Sequence, residues 1–134
     1  MFERINHVGI AVAELDDALA HYDRQFGVEL LHRELIDEGT IEAALVCVGQ
    51  DRLELVASHA ADSPLGRFLA KRGPGLHHVA YEVGDIDAAL ASLRERDVRL
   101  VDAVPRPGIH GTRIAFLHPS SCFGVLTELV QPAS

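Results

Sequence analysis

Between Ile5 and Val12 the side chains alternate, with Val8, Ile10 and Val12 on one face and His7, Gly9 and Ala11 on the other, which predicts a strand. Leu15, Leu19, Tyr22 and Phe26 then recur at helical spacing with Ala18 on the same side, and Gly27 is placed to end that helix. Strands are predicted over Glu29 to Glu34, Ile41 to Val48 and Arg52 to Val56, with Glu38-Gly39 and Gly49-Gln50-Asp51 as the turns between them. A short helix follows. Ser63 is its candidate N-cap, Pro64 suits the first helical position, Leu65, Phe68 and Leu69 form the stripe, Lys71 and Arg72 suit the dipole, and Gly73 stops it. Leu76 to Val83 reads as a strand, and Ile86, Leu90 and Leu93 mark a helix. Strands near Arg99 to Ala103, Ile114 to Leu117 and Val125 to Val130 complete the pattern, with Pro105, Pro107, Gly108, Gly111 and Pro119 in the loops.

The two halves of this pattern share residues as well as element order. His7 to Ala20 aligns without a gap on His78 to Ala91, with 7 of 14 pairs identical. Each half then closes on a similar strand, Leu53-Glu54-Leu55-Val56 and Thr127-Glu128-Leu129-Val130. The predicted fold is therefore α+β, built of two tandem βαβββ modules at about 4–57 and 75–131, with a linker helix at about 63–72. Neither module is large enough to bury both faces of its own sheet. A single 1–134 domain is expected, its sheet curved around a metal-containing cleft with the helices outside.

Composition narrows the partners. A net charge of −8 argues against a non-specific nucleic-acid binder, which needs basic surface to displace counterions. No apolar run reaches the length of a membrane span, and the N-terminus carries no signal-peptide pattern, so the expected location is the cytoplasm, away from the membrane. Cys47 and Cys122 are too few for a disulfide scaffold.

The repeat also doubles a pair of chemically useful residues, a His on the opening strand and a Glu on the closing one. Glu128 shares its strand face with Leu126 and Val130, and Glu54 with Arg52 and Val56; a carboxylate among apolar neighbours is costly to bury without a partner. A divalent cation bound by His7, Glu54, His78 and Glu128 would satisfy these groups, and the small residues Gly9, Ala11 and Ala80 leave space beside the histidines. Two imidazoles with two carboxylates suit zinc, cobalt, manganese or nickel. Glu42, on a strand face with Ala44, Val46 and Val48, is expected to point into the same cleft, where a spare carboxylate beside a carbonyl-polarising metal could remove a proton α to that carbonyl. The competing reading of Glu42 is an exposed strand residue. His77 falls on the strand face opposite His78, so it is expected to point outward or to support a ligand from behind. His21 and His32 read as surface, and His59, His110 and His118 as loop residues.

Several stretches resemble the methylmalonyl-CoA epimerase family of the vicinal oxygen chelate superfamily. They are Asn6-His7-Val8-Gly9-Ile10-Ala11-Val12, Asp62-Ser63-Pro64 through Arg72-Gly73-Pro74-Gly75-Leu76-His77-His78, Gly111-Thr112-Arg113 through Phe116-Leu117-His118-Pro119, and Gly124-Val125-Leu126-Thr127-Glu128-Leu129. The resemblance covers nearly the whole chain. It implies an isomerase that interconverts (2R)- and (2S)-methylmalonyl-CoA by proton transfer at C2 through a metal-stabilised enolate. It further implies His7, His78, Glu54 and Glu128 as metal ligands, Glu42 as a base, and Glu128 as a candidate for the second acid/base. A homodimer is expected, and Arg67, Lys71, Arg72 and Arg113 are candidates to meet the anionic coenzyme A. The rival readings are a glyoxalase I-like lyase, which explains the Gly75-Leu76-His77-His78 and Phe116-Leu117-His118-Pro119 runs less well, and a non-catalytic small-molecule binding protein, which has no need of the four ligands.

Overall fold

Eleven elements are arranged along the chain as two βαβββ runs with a helix between them, the α+β order predicted. The computed structural model describes residues 1–134. In chain order the elements are β1 (Arg4–Ala11), α1 (Leu15–Phe26), β2 (Glu29–Ile36), β3 (Ile41–Val48), β4 (Asp51–Ser58), α2 (Pro64–Arg72), β5 (Gly75–Glu82), α3 (Ile86–Glu95), β6 (Arg106–Pro107), β7 (Arg113–Leu117) and β8 (Thr127–Gln131). They fall into two compact units, one of Val8–His77 and one of Met1–His7 with His78–Ser134, so that β1 passes from one to the other. No helix is long and apolar enough to cross a membrane. Both cysteines are free thiols.

In the Val8–His77 unit the strands hydrogen-bond in the order β2-β3-β4-β1. β2 and β4 run antiparallel to β3, whereas β1 runs parallel to β4 with Gly9 opposite Glu54 and Ile10 opposite Leu55. Leu15 of α1, with Ala18, Leu19 and Tyr22, packs on the sheet face that carries Ile10, Val12, Ala44, Leu55 and Ala57. Gly27 ends α1 in the left-handed conformation at φ 64°, and its N–H reaches the Asp23 carbonyl. Phe26 departs from the predicted stripe. In the last turn it reaches past this cluster, lies 65% exposed, and touches only the rings of Tyr22 and His21 among aromatic partners.

The second helix forms as its sequence signals direct. Ser63 Oγ accepts the Gly66 N–H at 3.0 Å and donates to the Ala60 carbonyl at 2.6 Å, while Pro64 occupies the first turn without a donor to lose. Gly66 is required there for space: a Cβ would sit 2.6 Å from the Ala61 carbonyl oxygen and against that of Ala60.

In the other unit the first part of β1 is followed by β5-β8-β7-β6. β5 and β8 are parallel with Ala80 opposite Glu128; β8 and β7 are antiparallel with Phe116 opposite Glu128, and β7 and β6 are antiparallel with Arg106 opposite Ile114. Directly opposed residues share a face. One face therefore carries Leu129, Ala115 and Leu117, which pack against Ile86, Ala89, Leu90 and Leu93 of α3. The other carries His78, Ala80, Glu128, Val130, Phe116, Ile114 and Arg106.

The strand expected near Arg99 to Ala103 does not form. Leu100 makes a single bridge to Leu117, and pairing resumes only at Arg106–Pro107. Asp102 is the reason. Its Oδ2 accepts the Phe116 N–H at 2.8 Å, taking the donor that a ladder carbonyl would have used, while the N–H groups of Val101 and Asp102 both turn to the Phe116 carbonyl.

Gly66→Ala forces a Cβ against two backbone carbonyls that belong to the turn Ser63 organises. The variant is expected to lose about 1–3 kcal/mol of stability. Urea unfolding of the variant beside wild type checks this, and an unchanged midpoint would contradict the close approach.

Candidate active site

His7 and His78 sit at equivalent places in the repeat, each on the opening strand of its module, and both are buried, 4% exposed. The His7 ring is oriented from behind. Its Nδ1 lies 2.8 Å from Asn6 Oδ1, and the Asn6 amide is held in turn by donating to Glu82 Oε2 at 3.0 Å. An amide oxygen can only accept, so His7 Nδ1 carries a proton, and whenever the ring is neutral its lone pair is on Nε2. This is the tautomer a metal ligand requires, fixed by the kind of supporting hydrogen bond that ligating histidines use.

His7 Nε2 faces His78 Nε2 at 3.1 Å, and Glu128 Oε1 stands 3.0 Å from the first and 3.6 Å from the second. The two rings meet edge to face. Glu128 is 3% exposed, and its Oε1 accepts no well-directed hydrogen bond despite the close His7 nitrogen. Burial pushes this carboxyl up, but the contact with His7 and the positive charge available at His78, His7 and Arg106 outweigh it and hold Glu128 below the ordinary carboxylate range. An ionised oxygen and two imidazole nitrogens thus converge in an apolar setting. Bonds of about 2.0–2.1 Å to a divalent ion place neighbouring donor atoms about 2.9–3.4 Å apart. The 3.0 and 3.1 Å separations fall in that range and the 3.6 Å one lies just beyond it, so the donor set fits a bound divalent cation after a small closure of His78 on Glu128.

Glu54 lies in the Val8–His77 unit and is likewise buried, 4% exposed. Its register sets it opposite Gly9 on β1 and Leu45 on β3, on the sheet face turned away from α1. Gly9 follows His7 by two residues, so by strand alternation the two positions belong to the same face of β1.

Glu42 departs from expectation. It pairs with Ala57, and Ala57 belongs to the cluster under α1, so Glu42 projects from the sheet face opposite to that of Glu54. There it accepts from Arg33 Nε at 2.8 Å, and Arg33 also reaches Asp16 of α1 at 2.6 Å; His59 Nε2 lies 3.3 Å from its other oxygen. The Arg33 hydrogen bond holds the Glu42 carboxyl below its ordinary range, with His59 adding to the effect. The expectation that Glu42 points into the cleft of the ligands is thus corrected, since it leaves the sheet face opposite to that of Glu54. Alternation within a strand defines two faces but not which face of one strand continues that of its neighbour; the Glu42–Ala57 and Leu45–Glu54 pairs decide it.

Other residues fall mostly where the sequence placed them. His77 points away from His78 and packs edge-on against Phe68. His32 pairs with Glu34, and His118 accepts the Ser120 N–H. Among the basic candidates, Arg67 is held by the Asp62 carbonyl, Arg72 lies over Phe68, and Arg113 pairs with Asp87. The role of Asn6 is not evident from sequence, although its place beside His7, where the second repeat has His77, is a visible asymmetry. Arg106 and Phe116 escape sequence reasoning too, because only pairing across β6, β7 and β8 brings them to the ligand face.

Residues 6–116 match the glyoxalase/bleomycin resistance protein/dioxygenase superfamily, and the chain belongs to it. It is 38% identical over 129 residues to the mitochondrial methylmalonyl-CoA epimerase of Bos taurus, covering 96% of this chain and 74% of that one. A solved structure of methylmalonyl-CoA epimerase in complex with methylmalonyl-CoA and NH4+ superimposes with a TM-score of 0.95 at 39% identity, covering 100% of this chain and 97% of that one. The epimerase of Mycobacterium tuberculosis superimposes with a TM-score of 0.93 at 41% identity, covering 99% and 90%. Within the superfamily, its family is that of the methylmalonyl-CoA epimerases.

Proposed function

We infer that this chain is a methylmalonyl-CoA epimerase, interconverting (2R)- and (2S)-methylmalonyl-CoA by removing and returning the proton at C2. The observation that carries the reading is the convergence of His7 Nε2, His78 Nε2 and Glu128 Oε1 within 3.0–3.6 Å of one another. In this reading, supported by the repeat and by the family resemblance, His7, Glu54, His78 and Glu128 hold a divalent cation, with cobalt, zinc, manganese and nickel as the ions the donor set suits. When bound, the ion supplies Lewis-acid polarisation of the thioester carbonyl and positive charge for the enolate oxygen. Asn6 keeps the His7 lone pair directed at the site, and the apolar walls of Ala80, Ile114, Val130 and Phe116 exclude water from it.

Epimerisation needs a proton acceptor on one face of C2 and a donor on the other. Glu128 is one such carboxylate, ionised and buried on the ligand face. The family resemblance supports Glu42 as the other; its place on the helix-side face of its sheet, opposite to that of Glu54, counts against it, and the Glu42→Gln variant below decides. Arg67, Lys71 and Arg72 cluster on α2 as a basic group for the coenzyme A phosphates. The assembly we propose is a homodimer, supported by the apolar side chains Leu30, Leu31 and Leu35 on the edge strand β2, each more than two-fifths exposed. Sedimentation at micromolar concentration should give a two-chain species; monomer alone would refute it.

Purified protein should carry about one divalent ion per chain, and chelation should abolish turnover. His7→Ala and His78→Ala should each lose the ion while keeping the far-ultraviolet spectrum of the fold. Full occupancy in both variants would remove the ligand assignment.

Glu42→Gln should lower turnover by about 10²–10⁴-fold with metal content unchanged, the loss typical of a positioned base. Wild-type turnover would leave Glu42 with its ion pair to Arg33 alone. The same variant isolates that ion pair. A carboxyl whose folded pKa is depressed contributes stability above the ordinary carboxylate range and loses it as pH falls through the folded value. The stability difference between wild type and Glu42→Gln should therefore be constant near neutrality and vanish in acid below about pH 4.5.

A further inference from the structure

The ligand face of the second module carries one cation that the reaction described above does not use. Arg106 opposes Ile114 across β6 and β7, Ile114 opposes Val130 across β7 and β8, and Phe116 opposes Glu128. These pairings put the Arg106 side chain on the face that holds Glu128 and His78. The guanidinium lies over the Phe116 ring at 5.4 Å, and the same ring meets His78 edge-on at 5.6 Å. Asp102 Oδ1 contacts Arg106 Nε at 3.3 Å, while Asp102 Oδ2 is locked on the Phe116 N–H at 2.8 Å. The planar group is thus held on one side by a fixed carboxylate and on its flat face by an aromatic ring. At 33% side-chain exposure it remains within reach of a ligand entering from solvent.

Resting on the epimerase reading, we propose that Arg106 is a specificity-determining residue that receives the free carboxylate of the acyl group. It would select thioesters bearing a 2-carboxylate over simple acyl thioesters. A guanidinium suits that role because it offers two parallel N–H donors to a carboxylate, whereas an ammonium offers a point charge. Arg106 stands on the face that carries Glu128 and His78, so a carboxylate held there would lie beside the proposed ligands. Simple acyl thioesters gain nothing from the guanidinium. Arg106 pairs with β7 only after the break at Asp102, an irregularity absent from the predicted element pattern.

The test is binding, read by calorimetry on metal-loaded wild type, Arg106→Met and Arg106→Lys, with methylmalonyl-CoA and with propionyl-CoA, which lacks the carboxylate. Arg106→Met should weaken methylmalonyl-CoA about 10–100-fold, the worth of a charged hydrogen-bonded pair, and leave propionyl-CoA within about 2-fold. Arg106→Lys should recover part of the loss, and metal content should match wild type in both. An equal loss for both ligands, or no loss for either, would overturn the assignment. Turnover by the wild type judges the epimerase reading separately: an inactive wild type removes that reading, while the binding ratio between the two thioesters still decides the role of Arg106.

Discussion

A carboxylate buried beside two imidazoles is the constraint around which the second module is organised. Moving the Glu128 charge out of water is expensive, and apolar strands around it offer no compensation of their own. The compensation comes from His7 and His78 at 3.0 and 3.6 Å, and from the cationic Arg106 farther along the same face. Each of these has its own support: Asn6 behind His7, Phe116 beside His78, Asp102 beside Arg106. A site built on such a chain of contacts has few spare orientations, which is what ligation and proton transfer both demand.

The duplication supplies the parts, and its departures from symmetry supply the function. Gly9 and Ala80 occupy matching places, as do Glu54 and Glu128, and their sheet registers match as well: Gly9 opposes Glu54 just as Ala80 opposes Glu128. Asn6 and His77 do not match. The first supports a ligand through its amide, and the second packs against Phe68 of α2. Likewise the first module has a full eight-residue β2, whereas the second has two residues at β6 and a loop pinned by Asp102. The regular module holds an ion-paired Glu42 on its helix face; the irregular one brings Arg106 to the ligand face.

Glu42 illustrates how charge placement constrains chemistry. An Arg partner at 2.8 Å keeps a carboxylate ionised and therefore ready to accept a proton, but it also lowers the basicity on which acceptance depends. Asp16 shares Arg33 and moderates that pull, and His59 offers a second contact on the exposed side. The balance among these four side chains sets what Glu42 can do.

Local rules were sufficient for most of the architecture. Alternation placed β1, β3 and β5, helical spacing placed α1 and α3, and Ser63, Pro64 and Gly73 bounded α2 to the residue. The four proposed ligands were legible as well, because duplication repeats a His and a Glu and only a shared purpose makes a buried Glu worth repeating. The sequence by itself thus determined the elements, their order and the candidate donors, all of which follow from near neighbours in the chain. The face on which Glu42 stands, the loss of a strand to Asp102 and the arrival of Arg106 beside Phe116 depend on pairings between residues far apart in sequence. Those were decided only by the tertiary structure, because register between strands is set by which hydrogen bonds the whole sheet can satisfy at once.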